Sequence, residues 1–434
     1  MLVLRILNPA IQRSLPKGWL LGAALISACG PAAANDRDEP GSWHLLLRNY
    51  FLHNDLRDHP GPSYQQEWAQ GFIGNLRSGF TEGALGVGLD VHAFLGIKLD
   101  GGRGHAGTGL LPVDSHGRSH DYASAGGALK LRMGDHLLRY GEMTVETPMF
   151  DTGDKRLQPE YANGVMLEST LSPDLLFQAG RFTRFKNQDR SSSQDDFSGY
   201  GASTRGTAIS LAGVRLFDSR DLSAALYASR LEDTWNQGYL NLKAQRDSWT
   251  LDANLYRTHD QGASRAGEID TLAYSLLASY SRNAQTFTLA YQRIEGDTPF
   301  DFVGGDSIYL ANSVKYADFN GAQERSWQAR YDLNFAALGM PGLSLTARYV
   351  RGHGIDGSRA PATGAYAPRD PLSATSGGRH WERDIDLRYR VQHGAAKGLQ
   401  MSLAHVSHRG NDAQEKRDID RLYIILEYPI QGLF

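Results

Sequence analysis

The sequence predicts an all-β protein, a transmembrane antiparallel β-barrel. The first indication is a two-residue alternation at the C-terminus, which is typical of a strand with one face toward lipid. The second is that no apolar run is long enough for a membrane-spanning helix. A sheet survives in a bilayer only if it closes and leaves no unpaired edge. One face of the last segment carries Leu422, Ile424, Leu426, Tyr428, Ile430 and Phe434, and the other carries Tyr423, Ile425, Glu427, Pro429 and Gln431.

The composition fits a barrel better than a helical membrane protein. The 434 residues are 21% charged, and they include 48 Gly and 20 Tyr, which barrels use at turns and in interfacial girdles. The formal net charge is −3, so no general attraction to nucleic acid is expected. Any selective electrostatic field must therefore be local.

The N-terminus reads as an export signal. Cations precede an apolar run, and small residues follow it, as a secretory signal peptide requires. We expect residues 1–34 to be removed and residues 35–434 to form the barrel domain in the outer membrane of a Gram-negative bacterium. The pattern consists of Arg5, Arg13 and Lys17, the apolar residues 19–28, and Ala32 to Ala34.

The only cysteine, Cys29, lies inside this segment. The mature chain is therefore expected to have no thiol, which excludes disulfides, zinc-thiolate sites and cysteine nucleophiles. An alternative stays open. Residues 26–29, with the sequence ISAC, resemble a lipoprotein processing box, in which Cys29 would become an acylated first residue.

Further segments repeat the alternation. Between Leu85 and Leu99 every odd position is apolar, while the even positions are polar, small or aromatic. Two later segments also alternate. The first sets Trp327, Ala329, Tyr331, Leu333 and Phe335 against Gln328, Arg330, Asp332 and Asn334, and the second sets Ile385, Leu387, Tyr389 and Val391 against Asp384, Asp386, Arg388, Arg390 and Gln392.

Chain length sets the size of the barrel. About 400 mature residues, at about 20 to 25 residues for each strand with its connection, give on the order of 16 to 18 strands. Short turns are expected on the periplasmic side at residues 338–342 and 393–398. Residues 100–125, 186–205 and 352–380 are long and hydrophilic, and we expect them to be external loops.

Many short strings of a recognisable kind run in order along essentially the whole mature chain. They are LLLRNY (45–50), EWAQGF (67–72), GIKLDGGRGHAGTGLLPVDSHGR (96–118), GGALKLR (126–132), RYGE (139–142), TPMFDTGDKRLQPE (147–160), RLEDTWNQGYL (230–240), GGDSIYLANSV (304–314), ERSWQARYDLNFAALGMPGL (324–343), RYVRGHGID (348–356) and WERDIDLRYRVQHG (381–394). Together these strings resemble the OprD-type outer-membrane porins of pseudomonads. The resemblance implies a monomeric barrel of eighteen strands, inward loops that narrow the pore, and selectivity for small solutes bearing a carboxylate.

A carboxylate that crosses a narrow pore needs cationic hydrogen-bond donors along its way. Strand parity places Arg388 and Arg390 on one inward face, and barrel closure would bring Arg48 within about 15 Å of them. Such side chains can also be plain solvated lining, and that alternative stays open. The predicted basic wall comprises Arg48, Lys130, Arg132, Arg330, Arg348, Arg388 and Arg390.

The family's ladder of basic residues usually includes arginines of the penultimate strand. Here that strand, predicted at residues 398–409, has Gln400, Ser402 and Ala404 at its inward positions. The basic wall is therefore expected to be displaced or incomplete relative to the family.

Opposite the basic wall we expect an acidic side. The Pro- and Gly-containing string at 147–160 folds back more readily than it extends, and it resembles the family's constriction loop. The string at 304–319 resembles the second inward loop. An alternative is that these acids only pair with Lys155, Arg156 and Lys315 to hold the loops. The predicted acidic side comprises Asp151, Asp154, Asp306, Ser307, Tyr316 and Asp318.

We expect no catalytic site, cofactor or metal. No GxSxG elbow places a serine beside a base, and the histidines have no compact metal-binding spacing. A barrel enzyme of serine-hydrolase type, or an adhesin with a plugged lumen, remains the alternative class. The expected partners are small carboxylate solutes, outer-membrane lipid with lipopolysaccharide, and the barrel-assembly machinery through Phe434. No nucleic acid is expected, and the protein is expected to be a monomer.

Overall fold

The fold is a closed barrel in a computed structural model. The expected export segment, residues 1–34, lies outside the described residues, and so does Cys29. No helix in the described ranges is both long and apolar enough to cross a bilayer. The structure describes residues 40–57, 61–199, 204, 206–217, 221–368, 374–414 and 418–434.

Eighteen antiparallel strands form one sheet, which confirms the predicted fold class. Two further short strands pair inside a loop, and one 3₁₀ helix, Phe335–Leu338, follows β16. The strands are β1 Ser42–Leu56, β2 Tyr64–Arg77, β3 Gly86–Lys98, β4 Tyr122–Met133, β5 His136–Met143, β6 Glu146–Thr147, β7 Phe150–Asp151, β8 Tyr161–Ser172, β9 Leu175–Lys186, β10 Ile209–Phe217, β11 Leu222–Leu231, β12 Trp235–Arg246, β13 Trp249–Asp260, β14 Asp270–Arg282, β15 Gln285–Glu295, β16 Arg325–Asn334, β17 Leu343–Asp356, β18 Ser376–Arg390, β19 Gln400–Gly410 and β20 Ile419–Leu433.

The barrel closes between the first and last strands. β1 pairs with β2 on one side and with β20 on the other, in unbroken register from Ser42 opposite Leu433 to Leu56 opposite Ile419. Closure leaves no free edge, which is the condition for a sheet in lipid. The first residue of β1 and the last residue of β20 therefore lie at one rim of the barrel, which is the rim that also carries the short turns.

The two faces of the wall follow the predicted parity. In β3, Val91 and Leu95 are exposed on the outside, whereas His92 and Phe94 are buried inside. In β20, Ile424 is exposed on the outside and Tyr423 is buried inside. An apolar outer face and a polar inner face are what a barrel in a bilayer requires.

The connections sort by length to opposite rims. The expected turns at 338–342 and 393–398 lie at one rim, and the long loops lie at the other. By the usual arrangement of such barrels, the short turns are periplasmic and the long loops extracellular.

Several predicted element limits were wrong by a few residues. The first and third long loops are shorter than expected, because β4 begins at Tyr122, β17 extends to Asp356 and β18 begins at Ser376. Polar strands can continue above the bilayer, since both of their faces then meet water. Phe335, expected on the outer face of a strand, instead begins the 3₁₀ helix after Asn334, whose side chain caps it.

Two of the loops that fold into the barrel contact each other inside it. We name residues 144–160, between β5 and β8, the first inner loop, and residues 296–324, between β15 and β16, the second inner loop. Their apolar residues form a buried core with the inner wall, in which Phe150 packs against Phe182 and Phe300 packs against Tyr256. The lumen is therefore narrowed by packed chain rather than left open.

Candidate functional site

The first inner loop reaches across to the closing strands. It leaves β5 and returns through β8, yet Arg48 on β1 donates to the Asp154 carboxylate at 2.6 Å and to the Arg156 carbonyl at 2.8 Å. The Tyr50 hydroxyl donates to the Lys155 carbonyl at 3.1 Å. Since β2, β3 and β4 separate these attachment points in the wall, the loop must cross part of the lumen.

One buried carboxylate joins the two inner loops. Glu160 accepts hydrogen bonds from the Gly153 amide at 2.8 Å, the Gly305 amide at 2.7 Å and the Ser198 hydroxyl at 2.7 Å. Burial raises the pKa of Glu160, although these hydrogen bonds act in the opposite direction. The carboxylate therefore fixes three chain segments against one another.

Asp151 and Ser307 lie inside the interface between the inner loops, not on its water-filled side. The Asp151 amide donates to the Ser307 hydroxyl at 2.7 Å, and the Tyr309 hydroxyl donates to the Asp151 carboxylate at 2.6 Å. Both residues are buried, and burial raises the pKa of Asp151 well above its ordinary value. Their expected place on an acidic pore surface is thus corrected to a place in the packed loop junction.

Lys155 and Asp306 form the ion pair that faces the lumen between the two inner loops. The Lys155 ammonium lies 2.5 Å from the Asp306 carboxylate, and both side chains are at least one-third exposed. Asp154 is also partly exposed, but it is bound to Arg48, which a second carboxylate, Glu427, contacts at 2.7 Å. Two carboxylates therefore balance the charge of Arg48, which adds no net positive charge to the lumen.

The second inner loop is attached to β18. The Tyr316 and Ala317 amides donate to the Glu382 carboxylate at 2.9 and 2.8 Å. The Tyr316 ring lies 4.9 Å from the Arg421 guanidinium, and Asp318 accepts from the Ser313 hydroxyl at 2.8 Å. Tyr316 and Asp318 thus act first as parts of the loop's own scaffold.

Positive charge is in excess where the second inner loop meets the lower part of β18. The Asp386 carboxylate binds the Lys315 ammonium at 2.9 Å and the Arg388 guanidinium at 2.9 Å, so one carboxylate balances two cations. The side chain of Arg388 is 48% exposed, and Arg390 is exposed beyond it toward the short-turn rim. Strand register puts four residues in one row across β1, β20, β19 and β18: Arg48, Glu427, Gln400 and Arg390.

The other predicted basic residues face inward but are individually paired. Lys130 binds Asp90 at 2.8 Å, Arg330 binds Asp332 at 2.7 Å, and the Arg348 guanidinium lies 3.3 Å from the Asp384 carboxylate. Arg132 lies over the Phe80 ring at 4.6 Å. These contacts leave Arg388, which shares Asp386 with Lys315, and Arg390, which has no ion pair in the described part of the chain, as the most exposed cations of the predicted wall.

The penultimate strand contributes no cation to this inner surface, as predicted. Ala404 on β19 is buried inside, and the Ser402 hydroxyl donates to Asp386 at 3.4 Å. Gln400 lies in register between Arg390 and Glu427. The positive charge is therefore displaced to β18.

Sequence reasoning missed several buried charged residues. Glu382, Asp384 and Asp386 occupy every second position of β18, on the same face as Arg388. That pattern was a usable signal for an acid-rich inner wall. A second cluster gave no such signal, because its members are far apart in the chain. In it, Glu142 binds His92 at 2.9 Å and also binds Lys186.

No group of three or more potential metal ligands converges in the described part of the chain.

A closed barrel with an apolar exterior, a polar lumen and inward loops that narrow it belongs to the class of outer-membrane channels called porins. Comparison with known sequences then identifies the family. Residues 39–432 match the family described as "outer membrane porin, OprD family". The chain therefore belongs to the OprD family of outer-membrane porins, and its location is the outer membrane.

Two curated relatives cover nearly all of the chain. Porin D of Pseudomonas aeruginosa is 40% identical over 410 residues, which are 91% of this chain and 92% of the relative. Porin-like protein GalP of Pseudomonas putida is 32% identical over 397 residues, which are 90% of this chain and 92% of that protein. One is named a porin and the other porin-like, which favours a channel over a barrel enzyme or a plugged adhesin.

Solved structures agree with the fold. The crystal structure of Pseudomonas aeruginosa OprD matches with a TM-score of 0.80 and 36% identity, over 93% of this chain and 100% of that chain. OpdK of the same species, crystallised with vanillate, matches with a TM-score of 0.80 and 35% identity, over 90% of this chain and 99% of that chain.

Proposed function

We propose that this porin gives passive diffusion of small carboxylate-bearing solutes, such as amino acids or small organic and aromatic acids. The observation that carries the proposal is the local excess of positive charge at the short-turn end of the inner face of β18. Lys315 and Arg388 share the single carboxylate of Asp386, and Arg390 lies exposed beside them. Guanidinium groups bind carboxylates through paired hydrogen bonds, which suits them to receive an acid that has lost part of its water.

The charges where the two inner loops meet support selection of solutes by the arrangement of the solutes' own charges. The exposed pair of Lys155 and Asp306 presents a cation and an anion side by side where the loops meet. A zwitterion or an acid can exchange with one partner of such a pair, because exposed ion pairs are weak. The alternative, in which these charges only hold the loops, predicts no effect of their removal on solute passage.

A related structure supports the solute class. OpdK was crystallised with vanillate, which is an aromatic carboxylate, and it shares 35% of its sequence with this chain. The proposal extends that chemistry to this porin through the β18 arginines rather than through arginines of β19, whose inward positions here are uncharged.

The remaining assignments complete the proposal. Residues 1–34 act as the export signal, and Phe434 is the element that the barrel-assembly machinery recognises. The folded barrel is a monomer that faces outer-membrane lipid and lipopolysaccharide. It acts as a channel and has no catalytic role.

The test removes the two exposed arginines together. Arg388→Ala with Arg390→Ala should lower the anion-to-cation permeability ratio in planar bilayers under a KCl gradient. It should also weaken block of the current by benzoate or glutamate by about tenfold or more, since a hydrogen bond to a charged group contributes roughly 1.5 to 3 kcal/mol. The control is Arg181→Ala with Arg257→Ala, which removes two exposed arginines from the outer face. Unchanged permeation in the first variant would remove the β18 pair from the site.

A further inference from the structure

The outer face of the barrel carries a cluster of arginines near the long-loop rim, spread over three successive rows of the strand register. Along β17 and β18 the outward residues are apolar through Tyr349 and Ile385, and then become cationic toward the long-loop rim. The cations lie on three neighbouring strands. We name this cluster the outer arginine patch, and it consists of Arg351, Arg379, Arg383 and Arg409.

The sheet register holds these arginines among aromatic rings. Arg351 lies directly opposite Trp327 on β16 and Trp381 on β18, and Arg409 lies opposite Trp381 on its other side. Directly paired residues of neighbouring strands share one face of the sheet. The Tyr349 and Trp381 rings stack at 6.0 Å. Aromatic girdles of this kind mark the level of the lipid headgroups in barrels.

The patch is short of negative charge. In the part of the chain that the structure describes, Arg351, Arg379 and Arg383 make no ion pair with a carboxylate. Arg383 donates instead to the Ser407 hydroxyl at 3.3 Å. Arg409 does have carboxylate partners, with Asp420 at 2.7 Å.

Some outward arginines elsewhere on the barrel have carboxylate partners, whereas Arg325 on β16 has none in the described part of the chain. Arg181 binds Glu232 at 2.6 Å, and Arg257 binds Asp270 at 2.5 Å. An outward guanidinium close to lipid is costly without an anion, even though the cost falls near the interface. The three unmatched arginines of the patch are neighbours on adjoining strands, so their combined charge favours an anion that comes from outside the chain.

A widely open cleft of about 550 Å³ lies beside the patch. The two carboxylates in the lining of the cleft already have cationic partners. Arg57 and Arg409 both bind Asp420, and Arg57 also lies near Asp55. The lining is formed by His53, Asp55, Arg57, Trp381, Arg383, His405, Ser407, Arg409, Asp420, Arg421 and Leu422.

We propose that the outer arginine patch and this cleft bind the phosphate groups of lipid A, the acylated anchor of lipopolysaccharide. The inference rests on the lipopolysaccharide contact within the proposed function and names its site. The height fits, since the patch lies at the aromatic level on the long-loop rim, where the outer leaflet has its headgroups. The chemistry fits, because planar guanidinium groups bind phosphate oxygens in pairs. Acyl chains would then lie along the apolar residues below, such as Ile385 and Leu387.

The test measures lipid retained by the folded porin in detergent, by native mass spectrometry. The probes are bisphosphorylated lipid A and the same lipid without phosphates. The variant Arg351→Gln, Arg379→Gln and Arg383→Gln should lose at least about tenfold in retention of the phosphorylated probe. The control Arg181→Gln, Arg230→Gln and Arg257→Gln removes three other outward arginines and should retain it. Inorganic phosphate should compete poorly, since it lacks the acyl chains.

Three outcomes would overturn the proposal. Equal retention of the dephosphorylated lipid would show binding through acyl chains alone, and equal loss in the control would show unspecific attraction to charge. Retention of a second copy of the chain in place of lipid would make the face a protein interface. If the triple variant folds poorly, Arg383→Gln alone should still lower retention measurably. Single-channel conductance should stay unchanged in these variants, so failure here is separate from failure of the proposed channel selectivity.

Discussion

At the scale of single residues, Glu160 shows how one buried carboxylate fixes a constriction. Its oxygens accept from two backbone amides, those of Gly153 and Gly305, and from the Ser198 hydroxyl. Without it the Gly153 amide would be buried and unsatisfied, at a cost of about 1 to 3 kcal/mol, and the two partly buried donors would cost less. The position of both inner loops therefore depends on this side chain.

Two substitutions at this position should behave differently. Glu160→Ala leaves all three donors unpaired, so we expect a larger and noisier single-channel conductance as the loop junction loosens. Glu160→Gln keeps an oxygen for the two amides and can donate to Ser198, so it should remain close to the wild type. Single-channel recording of both variants is the measurement. Equal behaviour of the two variants would contradict the role given to the hydrogen bonds.

Strand parity predicted the face of each charged residue but not its net effect. A side-chain period of two is a local property, so Arg388 and Arg390 could be placed inward from a few residues of sequence. The partners of Arg48 are Asp154 and Glu427, which are 106 and 379 positions away in the chain. Such pairing depends on closure and on loop conformation. The sequence could therefore suggest a basic wall, but not that most of its members are neutralised.

At the scale of elements, the strands were predictable and the inner loops only partly so. The composition of residues 147–160 indicated a loop that folds back, because Pro and Gly disfavour extended pairing. Its contact with β1 could not be read from the string, since it arises from the position of β1 after barrel closure. For the same reason Ser307 was predicted on the pore surface, although it lies in the packed junction between the two loops.

The second inner loop should respond to pH through Asp301. This residue is fully buried and accepts from the Phe302 amide at 2.9 Å. Burial raises the pKa of Asp301 to about 8, well above the value for an unfolded aspartate. The folded loop therefore holds a proton that an opened loop releases at neutral pH. The free energy of opening the loop is therefore highest below the pKa of an unfolded aspartate. It falls by up to about 1.4 kcal/mol per pH unit as the pH rises, and it levels off above pH 8.

Hydrogen exchange of the second inner loop measures this effect. After correction for the intrinsic exchange rate, protection around Phe302 should decrease between pH 5 and about pH 8 and then stay constant. Asp301→Asn removes the titrating group, so its corrected protection should be flat over the same range. A pH dependence that persists in Asp301→Asn would assign the effect to another group.

At the scale of the whole molecule, the strand count followed from arithmetic on chain length, and closure followed from the alternating pattern. About 16 to 18 strands were expected, and eighteen are observed. The ends of strands were less predictable, because β17 and β18 continue beyond the bilayer as polar strands. The register between β1 and β20 was also beyond prediction, since it joins segments at opposite ends of the chain.

A substitution at the C-terminal residue can separate two contributions to barrel formation, which are closure of the sheet and recognition by the assembly machinery. The Phe434 amide donates to the Gly41 carbonyl at 2.8 Å, but the Phe434 side chain is 63% exposed and buries little apolar surface. Phe434→Ala keeps the amide, so refolding of the purified chain in detergent should be nearly unchanged when followed by heat-dependent gel mobility. In cells the same variant should yield much less folded barrel if the assembly machinery recognises the aromatic ring. Leu433→Ala, which alters an exposed neighbour, is the matched control. Equal loss of Phe434→Ala barrel in detergent and in cells would place the defect in closure and remove the recognition role, because a folding defect needs no receptor to appear.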